Sequence, residues 1–424
     1  MTQALLLALL ATGFAADVET APWIRSATTE GDRTALQIAS RRYVGPEEST
    51  LPEVWLVGVT HIGMQEYYRD LSTLLGQCDL VLYESVMPEG ARSPGGADDQ
   101  QRASSTQAAL DLLSQSATRC LQAGQPVPTD IESLRSGVGA IDLRLPGWVS
   151  NAAVDAWGRP VHFEHDEVAG SLRISSVGAD GEVGTDDDLA STLDVNVESA
   201  AVVEGNVNLQ SMLAQSLGLR YQLDSMPYDD LRWRVSDMSV ESVEASFAAK
   251  GMRFDELGDM LAGSSLPAQL IRAILALIPL GDALTGGSVS DAVQVVLIEL
   301  LGTPGLLNLT EQQYGDGFNE VIIVERNTVP LEDLERIITE EPGVRHVAVL
   351  YGAAHMPDLA TRLEATPHGY VVAETRWDDA MAVDMRETNL SPDDFKSIRR
   401  SIRLSLASLK RQARKAREAA SSSD

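Results

Sequence analysis

The chain has 424 residues, 44% of them hydrophobic, enough for more than one domain and a substantial core. Its 62 acidic and 33 basic residues give a net charge of −29, which argues against nucleic-acid binding by the body of the protein. From Ser391 onward nine Lys/Arg and four Asp/Glu give the tail +5 and leave −34 elsewhere.

In chain order, residues 1–15 come first. The run Ala4-Leu5-Leu6-Leu7-Ala8-Leu9-Leu10 ahead of Gly13-Phe14-Ala15-Ala16 reads as the apolar region and small-residue cleavage site of a signal peptide. It is too short to span a membrane, so an exported protein is expected, periplasmic or extracellular. Ala35–Val44 and Glu53–Val59 read as strands, Gln65–Leu75 as a helix and Asp79–Glu84 as a strand ending in a carboxylate. Pro88–Asp99, rich in Pro, Gly and acids, reads as a linker. Ser105–Leu121 has helical periodicity, broken at Pro126-Val127-Pro128-Thr129-Asp130. A short polar stretch, the turn Asp155-Ala156-Trp157-Gly158-Arg159-Pro160, two candidate strands and the acidic loop Gly178–Asp188 follow.

Beyond Val202 the periodicity is helical: Asn208–Leu217, Ser239–Ala249, Phe254–Leu261, Leu266–Leu280 and Val289–Leu301. The last two are strongly apolar and read as buried core helices, with a membrane hairpin as the alternative. Phe318–Asn327 and Leu331–Ile338 read as two further helices. A strand, Val347–Leu350, leads into the helix Pro357–Glu364, and Tyr370–Thr375 reads as the closing strand. Cys78 and Cys120 are either a disulfide or two buried thiols.

One pattern occurs twice, nearly three hundred residues apart: Gly58-Val59-Thr60-His61 and Gly352-Ala353-Ala354-His355. Each follows an apolar strand and precedes a helix. A glycine there lets the chain turn as it leaves the strand, and the histidine projects at the strand's C-terminal end. Two neutral imidazoles with a carboxylate such as Glu84 leave positions open on a metal, as in catalytic rather than structural sites. Arg326 is placed to pair with Glu84 or to stabilise a developing oxyanion.

These residues resemble the TraB/PrgY/GumN/TIKI superfamily, whose hallmarks are paired Gly-x-x-His motifs with a Glu and an Arg between them. Gly218–Asp224, Tyr228 and Ser236–Ser239 are similar to the middle of that family. The resemblance covers roughly residues 35–95 and 200–378. It implies an α+β fold, a mixed sheet with surrounding helices, and a metal-dependent peptidase using manganese or cobalt. His61, Glu84 and His355 are then metal ligands or the catalytic base, and Arg326 an electrostatic stabiliser.

Residues 104–195 resemble something else, the globular part of the GspG-type major pseudopilin of type II secretion. The order is helix, Pro-Thr turn, Asp-x-Trp-Gly turn, short strands and acidic loop. The resemblance implies a small α+β insert that binds calcium through Asp180, Asp187 and Asp188, and several carboxylates interleaved with glycine suit a hard cation. The long apolar helix needed for pilus assembly is not at the start of this segment. A recognition or shielding module is therefore expected, with a solvated acidic loop as the plain alternative.

The organisation expected is a signal peptide over 1–15, a TraB/TIKI-like domain split between 16–100 and 200–385, the insert at 104–195 and a tail at 390–424. In the tail, Ser391 caps a basic amphipathic helix with Phe395, Ile398, Ile402 and Leu409 on one side. It is suited to peripheral contact with an anionic membrane, to docking on the acidic body or to plain solvation. The functional expectation is an exported metal-dependent hydrolase of peptide or protein substrates. The alternatives are a non-catalytic ligand-binding protein and a secretion-system accessory.

Overall fold

The computed structural model describes residues 22–29, 33–141, 145–196, 219–228, 230–252, 288–302, 316–384 and 386–388, with 400, 404 and 411. The expectations for residues 1–15, Asn208–Leu217, Phe254–Leu261, Leu266–Leu280 and nearly all of the basic tail lie outside the described residues. The chain is mixed α+β and divides into two compact units. One comprises Met1–Asp79, Val207–Met226 and Val243–Asp424, the other Leu80–Asn206 and Pro227–Ser242.

The first unit is built on a mixed sheet of β1 (Ile24–Thr29), β2 (Arg33–Val44), β3 (Glu53–Val59), β11 (His346–Gly352) and β12 (Val371–Asp384). β12 runs antiparallel along all of β2, from Val371 opposite Val44 to Asp384 opposite Arg33. β1 and then β3 therefore share the other edge of β2, and β11 lies parallel to β3, with Val347 opposite Val54 and Gly352 opposite Val59. Six of the seven residues in each of β3 and β11 are buried, as expected for strands covered on both faces.

Helix α1 (Gln65–Leu75) follows the two-residue strand β4 (Ile62–Gly63), which pairs with β9 (Arg220–Tyr221). Helix α6 (Ser288–Leu301) lies on β1, β2 and β12, where Val293, Val295 and Ile298 join Leu36, Ile62, Leu219, Met381 and Val383 in one apolar cluster. Helix α5 (Val240–Ala249) contributes Phe247, whose ring lies 6.0 Å from Phe318.

Two stretches read as separate helices are continuous. A helical turn, α7 (Asp316–Asn319), runs through a π-helical segment (Glu320–Glu325) into α8 (Arg326–Glu340), with Pro330 inside it. Proline supplies no N–H to the carbonyl one turn below, and a π turn shifts the hydrogen-bond ladder. Helix α9 (Met356–Glu364) ties this stretch from outside: Arg362 donates 2.9 Å to the Val324 carbonyl and 3.0 Å to the Thr328 hydroxyl. The closing strand also runs nine residues past Thr375, with irregularities between Val372 and Glu374 and between Asp379 and Met381.

The second unit holds the parallel pair β5 (Leu80–Tyr83) and β10 (Trp233–Val235). Tyr83, Tyr228 and Trp233 pack there with ring centroids 5.0–5.9 Å apart. Helix α2 (Asp99–Gln122) begins six residues earlier than its periodicity suggests, because Asp98 caps it by accepting 2.8 Å from the Gln101 N–H. It packs on an antiparallel sheet of β6 (His162–Asp166), β7 (Ser171–Ser176) and β8 (Leu189–Asp194). The stretch read as polar contains α3 (Ile131–Gly139), with a capping box at Asp130 and Ser133, and α4 (Leu145–Asn151).

Both cysteines are buried and neither forms a disulfide. Burial pushes the Cys120 thiol up to about 11. Among the described residues no helix is long and apolar enough to cross a membrane.

Candidate functional site

The two Gly-x-x-His motifs lie on neighbouring parallel strands. Their ladder ends with the Ala353 N–H donating 2.9 Å to the Val59 carbonyl. Gly352 lies opposite Val59, so His61 is two residues past that level and His355 three; both histidines leave the C-terminal edge of the sheet, one residue out of step. Adjacent strands are about 4.8 Å apart. The expected turning role of Gly58 is corrected: it lies inside β3, and its value is closeness. A Cβ there would come within 2.9 Å of the Ala39 carbonyl oxygen and 3.0 Å of Ile38 Cγ2.

Tyrosines from α1 brace the turn after β3. Tyr68 donates 2.8 Å to the Thr60 carbonyl and Tyr67 donates 3.2 Å to the Gly58 carbonyl. Burial pushes the Tyr67 phenol well above its ordinary value, so it remains a neutral donor.

His61 is 9% exposed. Its Nδ1 lies 2.8 Å from Gln222 Oε1, and its carbonyl accepts 2.9 Å from the Gln222 N–H. Gln222 opens a 3-10 turn (Gln222–Asp224) directly after β9. His61 Nε2 is buried with no hydrogen-bond partner among the described residues.

His355 is fully buried and held in a parallel way. Its Nδ1 lies 2.6 Å from Asn327 Oδ1, and its carbonyl accepts 3.2 Å from Asn327 Nδ2. Asn327 Nδ2 also donates 2.8 Å to Asp358 Oδ2. Two acceptors on Nδ2 fix which way this amide faces, so Oδ1 must accept from the ring, and Nδ1 carries the proton. The Tyr351 ring meets the imidazole edge-on at 5.2 Å.

Arg326, one residue before Asn327, is 1% exposed. Glu325, on the other side of it, is half-exposed and bound to Lys250 at 3.1 Å. Glu84 follows β5 in the second unit and is half-buried. Among the described residues no group of three or more His, Cys, Asp or Glu side chains is arranged to hold a metal ion. Each imidazole has Nδ1 engaged by a side-chain amide, and His61 Nε2 is buried without a partner among the described residues, a donor pair that suits a divalent metal.

In the second unit, the acidic loop joins β7 to β8. Asp180 Oδ1 accepts 2.8 Å from the Glu182 N–H, and Asp188 Oδ2 accepts 2.7 Å from the Gly184 N–H. Asp187 accepts 3.0 Å from the Asp180 N–H and 2.7 Å from the Thr185 hydroxyl. Those bonds, the hydroxyl first, hold the Asp187 carboxyl down at about 2. Asp188 Oδ1 is buried without a partner among the described residues.

The loop's base is fixed from outside. Buried Asp155 accepts from Ser176 at 2.6 Å and from the Trp157 and Arg159 N–H groups at 2.9 Å, while Arg159 donates to the Gly178 and Ala179 carbonyls. Gly178 has φ +64°, and a Cβ on it would collide with Asp187. Asp180, Asp187 and Asp188 therefore share one loop but are tied to its own N–H and O–H groups rather than converging on one point.

The sequence singled out His61, Glu84, Arg326 and His355 as candidates; the contact of Gln222 with His61 and the grip of Asn327 on His355 come from the structure. The available signals were the adjacency of Asn327 to Arg326 and the place of Gln222 within Gly218–Asp224. Comparison of the chain with protein-family models, curated proteins and solved structures finds no match.

Proposed function

We propose that this is an exported metal-dependent hydrolase of the TraB/TIKI type, acting on peptide bonds, with His61 and His355 as metal-holding residues. The observation that carries the reading is the pair of histidines that follow adjacent parallel strands at the same sheet edge, each with Nδ1 bound by an amide oxygen. A divalent ion, manganese or cobalt by resemblance, would supply Lewis acidity and an acidified water. The chain's own contribution is orientation. The Tyr67 and Tyr68 hydroxyls fix the first turn, Asn327 fixes the second, and buried Arg326 offers positive charge to a developing oxyanion. Glu84 enters as ligand or base through the resemblance alone.

The test is metal content of the purified protein together with peptide hydrolysis before and after chelation. Bound metal, activity lost reversibly with a chelator and abolished by His355→Ala are expected. Activity that survives both treatments removes the hydrolase reading. The absence of a three-ligand group among the described residues favours a second reading, a crevice that binds a peptide without turnover. Tight peptide binding with no metal would select it.

For the insert we propose a pseudopilin-like calcium module, with Asp180, Asp187 and Asp188 as oxygen donors. The unpartnered Asp188 Oδ1 and the loop's all-oxygen donor set support it. Calcium should raise the melting temperature of the full chain, and Asp188→Ala should remove that rise. An unchanged melting temperature leaves the loop a solvated turn. A secretion-system accessory attached through this module is the alternative function, and for the basic tail the readings are contact with an anionic membrane, docking on the acidic body or plain solvation.

A further inference from the structure

We infer that Gln222 and Asn327 are positioning residues that hold both motif histidines as the Nδ1–H tautomer, and that the pair is one device built twice. Each grips its histidine at the same two places, the residue's own carbonyl and its ring Nδ1. Gln222 does so with a backbone N–H and a side-chain oxygen, at 2.9 and 2.8 Å. Asn327 does so with both ends of one amide, at 3.2 and 2.6 Å.

Nothing in local sequence links the two grips. One comes from a 3-10 turn 161 residues after its histidine, the other from a helix 28 residues before. Their shared chemistry is the point. An amide oxygen accepts a hydrogen bond and carries no charge, so it selects the tautomer without drawing a proton onto the ring as a carboxylate would. The result is a neutral imidazole whose Nε2 lone pair faces away from its anchor. For its consequence the inference rests on the proposed metal reading, since Nε2 is then the donor to the ion.

The experiment uses the full chain labelled with nitrogen-15, without added metal. Long-range proton–nitrogen spectra report the tautomer of each histidine, and His61→Gln and His355→Gln identify the two signals. Both rings are expected with protonated Nδ1 and unprotonated Nε2. Gln222→Met should shift His61 toward the Nε2–H form while its backbone anchor remains, and Gln222→Glu, which keeps an acceptor, should restore Nδ1–H. Asn327→Leu should do to His355 what Gln222→Met does to His61.

Either wild-type ring protonated at Nε2, or a His61 tautomer indifferent to Gln222→Met, overturns the inference. Cobalt(II) titration followed by its visible absorption separates the two readings. If cobalt binds, Gln222→Met should weaken it about 10–100-fold. If the tautomers respond as stated and wild-type protein binds no cobalt, the positioning role stands and the metal reading falls.

Discussion

His61 and His355 follow neighbouring strands at the same edge of one sheet, yet the two grips differ in what each depends on. Around His61, half of the grip is a backbone N–H, present whatever side chain occupies position 222. Around His355, the Asn327 side chain makes both matching bonds and a third to Asp358, in a pocket closed to water, while the carbonyl also accepts 3.0 Å from the Leu359 N–H. Each histidine carbonyl thus keeps a main-chain donor, and each ring Nδ1 rests on a side-chain amide. The mutational risk at each site follows how many bonds the gripping side chain itself carries.

The largest expected effect follows from that asymmetry. Asn327→Leu strands the His355 Nδ1–H in the interior and removes the bond to Asp358, while the Leu359 N–H still serves the His355 carbonyl; an unsatisfied buried group costs about 1–3 kcal/mol. A loss of about 2–4 kcal/mol in urea unfolding is expected, and a loss below about 1 kcal/mol would break the comparison.

Gly58→Ala comes next, at about 1–3 kcal/mol, because its Cβ meets the backbone oxygen of Ala39 rather than a movable side chain. It would disturb the His61 strand first, so His61 resonances should shift more than those of His355. Equal shifts would show that β3 and β11 respond as one body.

Gln222→Met should cost less, about 1 kcal/mol, since one side-chain bond is lost and the backbone bond stays. A cost equal to that of Asn327→Leu would erase the distinction between the two grips.

The smallest effect belongs to a region with neither histidine. Asp187 is held below its ordinary 3.8 at about 2, so its bonds contribute fully above about pH 4 and are lost as pH falls toward 2. Removing the hydroxyl with Thr185→Val should let the Asp187 titration midpoint, followed by NMR, rise from about 2 toward 3.8. An unmoved midpoint would assign the depression to the Asp180 N–H instead.

Much of the framework was legible in the sequence. Glu53–Val59 and Gln65–Leu75 carry enough apolar side chains in one rhythm to announce their boundaries, and the repeated motif located both histidines. Other parts were hidden for physical reasons. The second half of β12 contains Trp377-Asp378-Asp379, which looks like a polar turn until Arg376 and Arg33 are seen pairing with those carboxylates. Phe318–Asn327 and Leu331–Ile338 read as two helices, whereas Pro330 sits inside one continuous helix that Arg362 ties from another element. β10 is three residues long and makes no periodic signal. Gln222 was invisible as a partner because an amide has no characteristic spacing, and its bond spans 161 residues.

The π-helical segment ahead of Arg326 has a consequence for deletions. A π turn is equivalent to one additional residue threaded into an α-helix, and in an α-helix each residue advances the azimuth by about 100°. The π turn absorbs that residue where it sits, so removing one from Glu320–Glu325 would let the ladder close as ordinary α-helix with Arg326 and Asn327 still turned inward. Adding one there, with no second π turn to absorb it, would swing both through roughly that angle and out of the interior. The helix thus carries one residue of slack ahead of its buried arginine, and it tolerates shortening at that point better than lengthening.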